Sequence, residues 1–194
     1  MTRHSSLTDP ALHECKGAAA APAGYVNTSN GDGTATYQAP ATGGSGSVVK
    51  TQTTVSTTML TGTTLIPFDN SIPQTTEGTI FFSVAFTPTA IGNKIRVEAQ
   101  LFGAYSVAAH VTAALFQDAT ANALAAVSTQ TTTTNQDANH VLVYEFTAAS
   151  TSATTLKVNV GGSTAGTYTF NGNAGAALFG GVATSTLRIT EIKA

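Results

Sequence analysis

The sequence predicts an all-β protein, a two-sheet, jelly-roll-like β-sandwich preceded by an extended N-terminal arm. Three observations lead there. From Val48 onward, apolar and polar residues alternate at period two between clusters of Gly, Pro, Asn and Ser, which is the pattern of short half-buried strands. Charged residues make up only 9% of the chain, where a typical soluble domain has about a quarter. Apolar residues nevertheless reach 42%, and β-branched side chains, Thr above all, are abundant, so the main body is expected to fold, and to fold as sheet. At 194 residues there is room for one core and an arm.

Residues 1–46 are expected to form the arm and linker, and residues 47–194 the sandwich. In the arm, Leu7, Leu12, Tyr25, Val26 and Tyr37 are separated by Ala-, Gly- and Ser-rich stretches, too few large apolar side chains for a core. Thr8-Asp9-Pro10 offers a helix cap or turn, Asn30-Gly31-Asp32-Gly33 a tight turn, and Gly43–Ser47 a flexible linker.

The strands follow in order. Thr51–Met59 and Thr63–Phe68 come first. In Thr79–Phe86, Ile80, Phe82, Val84 and Phe86 share one face; in Lys94–Phe102, Ile95, Val97, Ala99 and Leu101 point in while Arg96, Glu98 and Gln100 point out. Val107–Phe116, His140–Thr147, Leu156–Val160, Thr167–Asn171 and Thr186–Ile192 complete the set, and Ala119–Ala126 is the one candidate short helix. Turns are expected at Asn70-Ser71, Ile91-Gly92-Asn93, Gly161-Gly162 and Asn171-Gly172-Asn173. That many short strands without intervening helices need a second sheet to cover the first. Phe81 and Phe82 are adjacent, as are Val143 and Tyr144, so both faces of their sheets are expected to be partly covered, and an oligomer would do that.

A net charge of −2 and a pI near 6.0, with no Lys/Arg cluster, leave no positive field for phosphates, so nucleic acid is not expected as a partner. No run approaches the roughly 18 apolar residues that cross a bilayer. The opening Met-Thr-Arg-His-Ser-Ser has no signal-peptide core, so no membrane partner is expected and synthesis is expected in a cytoplasm. Cys15 is the only cysteine, which excludes an intramolecular disulfide and a multi-cysteine metal site.

Few residues invite chemistry. His13, Glu14 and Cys15 hold the types of a nucleophile and its base, but sequence neighbours rarely point at one another; His13, Glu14 and Lys16 read better as polar contacts that anchor the arm to its partner, with Cys15 a small apolar filler. Asp69 and Glu77 are a carboxylate pair at turn-like spacing, where a glycosidase needs two carboxylates about 5–9 Å apart across a cleft; Pro67 and Pro73 favour a rigid loop instead. Asn30–Gly33 lacks the alternating acids of a calcium loop. His4, His13, His110 and His140 are too dispersed for zinc; His110 and His140 read as polar residues on a sheet face. The aromatics, Phe81, Phe82, Phe86, Phe102, Phe116, Tyr144, Phe146, Tyr168, Phe170 and Phe179, are expected in the core. No catalytic residue, metal or cofactor is expected.

The segment Leu12-His13-Glu14-Cys15-Lys16-Gly17 with its Ala run, then Gly24-Tyr25-Val26 and Asn30-Gly31-Asp32-Gly33, resembles the N-terminal module of bacteriophage fibre and decoration proteins. That module reads His-Glu-x-Lys-Gly, an Ala run, Gly-x-Val-Tyr, Asn-Gly-x-Gly and an aromatic; Cys15 stands where Pro is usual and Tyr37 where Trp is. Ile66-Pro67-Phe68-Asp69, Ile72–Gly78, Asn171-Gly172, Phe179-Gly180-Gly181 and Ile189-Thr190-Glu191-Ile192 resemble the tumour-necrosis-factor-like jelly rolls of phages. The resemblance implies a homotrimer on the virion surface, made in the host bacterial cytoplasm. It also implies an arm that meets the major capsid protein or other virion proteins through Leu12, His13, Glu14, Lys16, Gly17, Gly24, Tyr25 and Val26. Capsid decoration or a head fibre is the first expectation; a tail fibre or adaptor binding host glycans, and a virion-associated glycan hydrolase, are the alternatives.

Overall fold

The computed structural model describes residues 25–29, 35–38 and 43–194, and the chain divides into two units, Met1–Gly44 and Ser45–Ala194. In the first, β1 (Val26–Ser29) and β2 (Ala35–Gln38) pair antiparallel, with Val26 opposite Gln38 and Ser29 opposite Ala35. The expected turn Asn30–Gly33 and the segment Leu12–Gly24 lie outside the described residues.

The second unit is built from β3 (Val48–Ser56), β4 (Leu60–Gly62), β5 (Thr79–Phe86), β6 (Lys94–Leu101), β7 (Gly103–Tyr105), β8 (Ala109–Gln117), β9 (Ala125–Thr131), β10 (Gln136–Asp137), β11 (His140–Thr147), β12 (Thr154–Gly162), β13 (Tyr168–Phe170), β14 (Gly172–Asn173), β15 (Ala176–Ala177) and β16 (Ser185–Ile192). Eight of these form two four-stranded antiparallel sheets, β11-β6-β16-β3 and β5-β12-β8-β9. In chain order the first of the eight pairs with the last (β3 with β16), the second with the seventh (β5 with β12), the third with the sixth (β6 with β11), and the fourth with the fifth (β8 with β9). This nested pairing is a jelly roll, and it rests on hydrogen-bond register alone. A smaller sheet, β10-β7-β13-β4, and the β14–β15 hairpin complete the unit.

The core lies between the two sheets. Ile95, Val97, Ala99 and Leu101 of β6, Leu142 of β11, and Leu187 and Ile189 of β16 meet Phe82, Val84 and Phe86 of β5, Val111, Ala113 and Leu115 of β8, and Leu156, Val158 and Val160 of β12. The inward and outward residues of β6 are those that alternation predicts. β3 inverts the rule: its inward side chains are polar. Gln52 donates to the Ala85 carbonyl at 3.1 Å, and Lys50 donates to the Thr87 carbonyl at 3.2 Å while its ammonium sits 4.6 Å from the Phe86 ring centre. These long side chains bridge from the edge of one sheet to the edge of the other, covering apolar surface with their stems.

The structure corrects several sequence expectations. Ile80 is 49% exposed, not inward, because the β5–β12 register slips at Val158/Asn159: Val158 faces Phe82 but Asn159 faces Ile80. The extra residue, Phe81, makes a bulge that turns both Phe81 and Phe82 toward the core. Their adjacency therefore does not signal a covered outer face. Of Thr51–Met59 only residues 51–56 are strand, the end of β3, and the chain leaves the sheet at 57–59; Thr63–Phe68 is irregular chain rather than a strand. Ala119–Ala126 is not helical; its last two residues begin β9, which the short helix reading hid, since pairing with β8 overrides the helix preference of alanine. Gly161 and Gly162 are not a turn but the end of β12, buried where the backbone is crossed closely. A Cβ on Gly161 would stand 2.5 Å from the Thr64 carbonyl oxygen.

Candidate functional site

The outer faces of the two sheets differ. The chain between β4 and β5 lies across the outer face of β12 and β8 as a strap. Ile66 is fully buried there against Ala114 and Phe116. The strap is fastened to β12 where Ile66 N–H donates to the Gly162 carbonyl at 3.1 Å and the Asn159 side-chain amide donates to the Glu77 carbonyl at 2.8 Å, and it closes on itself where Gly78 N–H donates to the Leu65 carbonyl at 2.9 Å. Opposite, Ala123 N–H donates to Pro73 at 2.9 Å and Thr75 N–H to Ala121 at 2.7 Å.

Within the second unit, no segment covers the outer face of β11-β6-β16-β3. Two rows of side chains run straight across its four strands: Val143, Glu98, Arg188 and Thr53, then Val141, Gln100, Thr186 and Val55. Val141 is 65% exposed, Val143 50% and Val55 58%. A shallow concavity between Val141, Val143, Glu98, Gln100, Thr186 and Arg188 marks the centre. Valines flank a polar, charge-bearing middle, and beyond them Lys94 and Glu145 form an ion pair at 3.6 Å. Valine favours strands whether or not it is covered, so its outward position becomes informative only where the opposite sheet is already shielded.

Of the module residues predicted from sequence, Leu12, His13, Glu14, Lys16, Gly17 and Gly24 lie outside the described residues, as does Cys15. Val26 opens β1 and Tyr25 immediately precedes it, and both are exposed. The carboxylate pair serves turns. Asp69 Oδ1 accepts from the backbone and hydroxyl of Ser71, which hold the Asp69 carboxyl below its ordinary range, and Glu77 Oε2 accepts from Gln74 N–H at 2.8 Å. Among the described residues no group of three or more His, Cys, Asp or Glu gathers as a metal site, and no helix is long and apolar enough to cross a membrane.

The two described histidines have separate roles. His140 is not on an open sheet face: it is buried between the sheets, where its Nε2 donates to the Val111 carbonyl at 2.9 Å and its Nδ1 has no partner. Burial lowers its pKa, against the opposing effect of the Val111 hydrogen bond. His110 lies on the outer face of β8 with Phe68 of the strap stacked flat on it, ring centres 3.7 Å apart and planes within 3°. Sequence reasoning missed this pair, since 42 positions of chain separate them and nothing local links them. Phe179, expected in the core, is 69% exposed in a 3₁₀ turn, Phe179–Gly181.

No family model matches the sequence, and no curated protein matches it. Among solved structures it is similar to a structure of infectious bursal disease virus, Gx strain, at 12% identity and a TM-score of 0.32, over 84% of this chain and 40% of that one. The VP2 subviral particle of infectious bursal disease virus is similar at 11% identity and a TM-score of 0.27, over 84% of this chain and 41% of that one. The chain thus spans about two fifths of the length of these viral chains.

Proposed function

We propose that the chain is a non-enzymatic structural protein of a bacteriophage particle, of the capsid-decoration or head-fibre kind. It trimerises through the outer face of β11-β6-β16-β3 and is held on the virion surface by residues 1–46. The observation that carries this reading is the asymmetry of the two sheets, one shielded by its own strap and the other presenting Val141, Val143 and Val55 to the outside. A face with apolar flanks and a polar centre suits packing around a threefold axis, in which the β11 flank of one copy meets the β3 flank of the next, the valines supply burial and Glu98 and Arg188 set the register. The module resemblance of residues 12–33 supplies the attachment point, and exposed Tyr25 and Val26 are available to a partner such as the major capsid protein. Three arms on one trimer bind together, so modest contacts per arm suffice. The test is incorporation: virions assembled with the full chain should carry it, and virions assembled with residues 47–194 alone should not. Equal incorporation of the two would contradict the reading.

A further inference from the structure

Beside the strap runs an open groove that self-association does not use. One wall is the strap from Pro67 to Pro73, the other is β9 and the chain leading into it, and the floor includes Thr112 of β8. Its two lobes share Asp69, Ser71, Pro73 and Ala126, so they form one continuous feature. The larger lobe, about 430 Å³, is of the size that small ligands occupy, and the smaller, about 220 Å³, extends it.

The wall is preorganised. Phe68 is 56% exposed although its ring is held on one side by the His110 stack, so the ring is fixed and a face remains available. A large apolar side chain held still in water has already lost the conformational freedom that binding would otherwise cost. Asp69 is fixed next to it by the turn to Ser71. Oδ1 is engaged there, while Oδ2 has no partner among the described residues. Gln74, whose side chain donates to the Ile72 carbonyl at 2.6 Å and to Asn122 Oδ1 at 3.0 Å, ties the far end of the strap to the opposite wall.

We propose that this groove binds a neutral hexose-based glycan, with Phe68 stacking on the C–H face of one sugar ring and Asp69 Oδ2 accepting from its hydroxyls. The chemistry of the lining selects this ligand class. A pyranose has an apolar face rimmed by hydroxyl donors, and the groove offers an apolar plate beside a carboxylate, with Ser71 and Ser128 hydroxyls nearby. No Lys or Arg lines either lobe, and Asp69 stands at their junction, so an anionic sugar is repelled. This site goes beyond the structural role proposed above and does not depend on it.

The test uses the full chain and saturation-transfer NMR with neutral trisaccharides of glucose, galactose and N-acetylglucosamine, and a sialylated trisaccharide as the anionic probe. At least one neutral probe should bind, with Kd on the order of 1 mM, and the sialylated one should not. Phe68→Ala should weaken binding at least tenfold and Phe68→Tyr should preserve it. Asp69→Asn, which keeps the Ser71 acceptor, should weaken it several-fold. Particle mass in solution, measured on the same samples, should not change. Absence of transfer to every neutral probe, binding indifferent to Phe68→Ala, or preference for the sialylated probe would each overturn the proposal; capture of a proline-rich peptide in place of any sugar would do the same.

Discussion

Asn93, in the turn before β6, donates its side-chain amide to Glu191 Oε1 on the last strand at 2.7 Å, joining residues 98 positions apart. The same carboxylate accepts from Thr89 N–H at 2.8 and 3.0 Å, from the Thr89 hydroxyl at 2.8 Å and from Ala90 N–H at 3.3 Å. One fully buried acid thus closes the β5–β6 turn onto β16. Burial alone would raise its pKa, but the hydrogen bonds from Asn93, Thr89 and Ala90 outweigh burial and hold it below the ordinary 4.5.

Replacing Glu191 with Ala leaves those donors unsatisfied and should cost about 2–4 kcal/mol of stability. The pH dependence follows from the sign of the shift. With a folded pKa below the unfolded one, the contribution is present above pH 4.5 and is lost as pH falls through the folded pKa. Thermal melts of the parent from pH 6 to pH 3 should show that loss, and Glu191→Gln should flatten it. An unchanged acid limb in the variant would remove Glu191 from the account of acid stability.

His140 predicts a second, higher window. Its folded pKa lies below 6.5, so the unfolded chain binds a proton first as the solution is acidified. Stability should begin to fall as pH drops below 6.5 and should stop falling on this account once the folded pKa is passed. Melts at pH 7.5 and 5.5 should differ in the parent and converge in His140→Gln, which keeps a donor for the Val111 carbonyl but cannot ionise.

Gly161→Ala should destabilise the fold by about 2 kcal/mol or more, because the added methyl meets the Thr64 carbonyl oxygen, backbone that cannot move away. Gly44→Ala, with open space around it, should be neutral. Equal melting temperatures for the two variants would contradict the close crossing of the strap over β12.

Much of the fold was legible in the sequence, because alternation is a local signal. Thr79–Phe86 and His140–Thr147 are strands with the ends that the pattern predicts, and β6 carries the predicted faces. What could not be read depends on partners distant in the chain. The bulge at Phe81 is set by β12, the strand character of Ala125–Thr131 by β8, and the glycines of β12 by the strap at Gly161 and by the Tyr105 ring at Gly162. The candidate sites divide likewise. The valines that flank the bare face were visible as residues, but their outward position follows from Leu142 between them pointing in, and the Phe68–His110 stack exists only once the strap is folded over β8.

The double variant Val141→Glu, Val143→Glu should convert the full chain from a trimer to a monomer by light scattering while its melt remains cooperative, since both residues point away from the core. Trimeric mass retained by the variant would move the interface off this face.

Quantitative mass spectrometry of purified phage particles assembled in the presence of the full chain tests the proposed place in a virion directly. The chain should co-purify at a copy number that is a multiple of three and should be released together as trimers. Its absence from particles washed free of soluble protein, or its recovery only as monomer, would contradict a structural role on the virion surface.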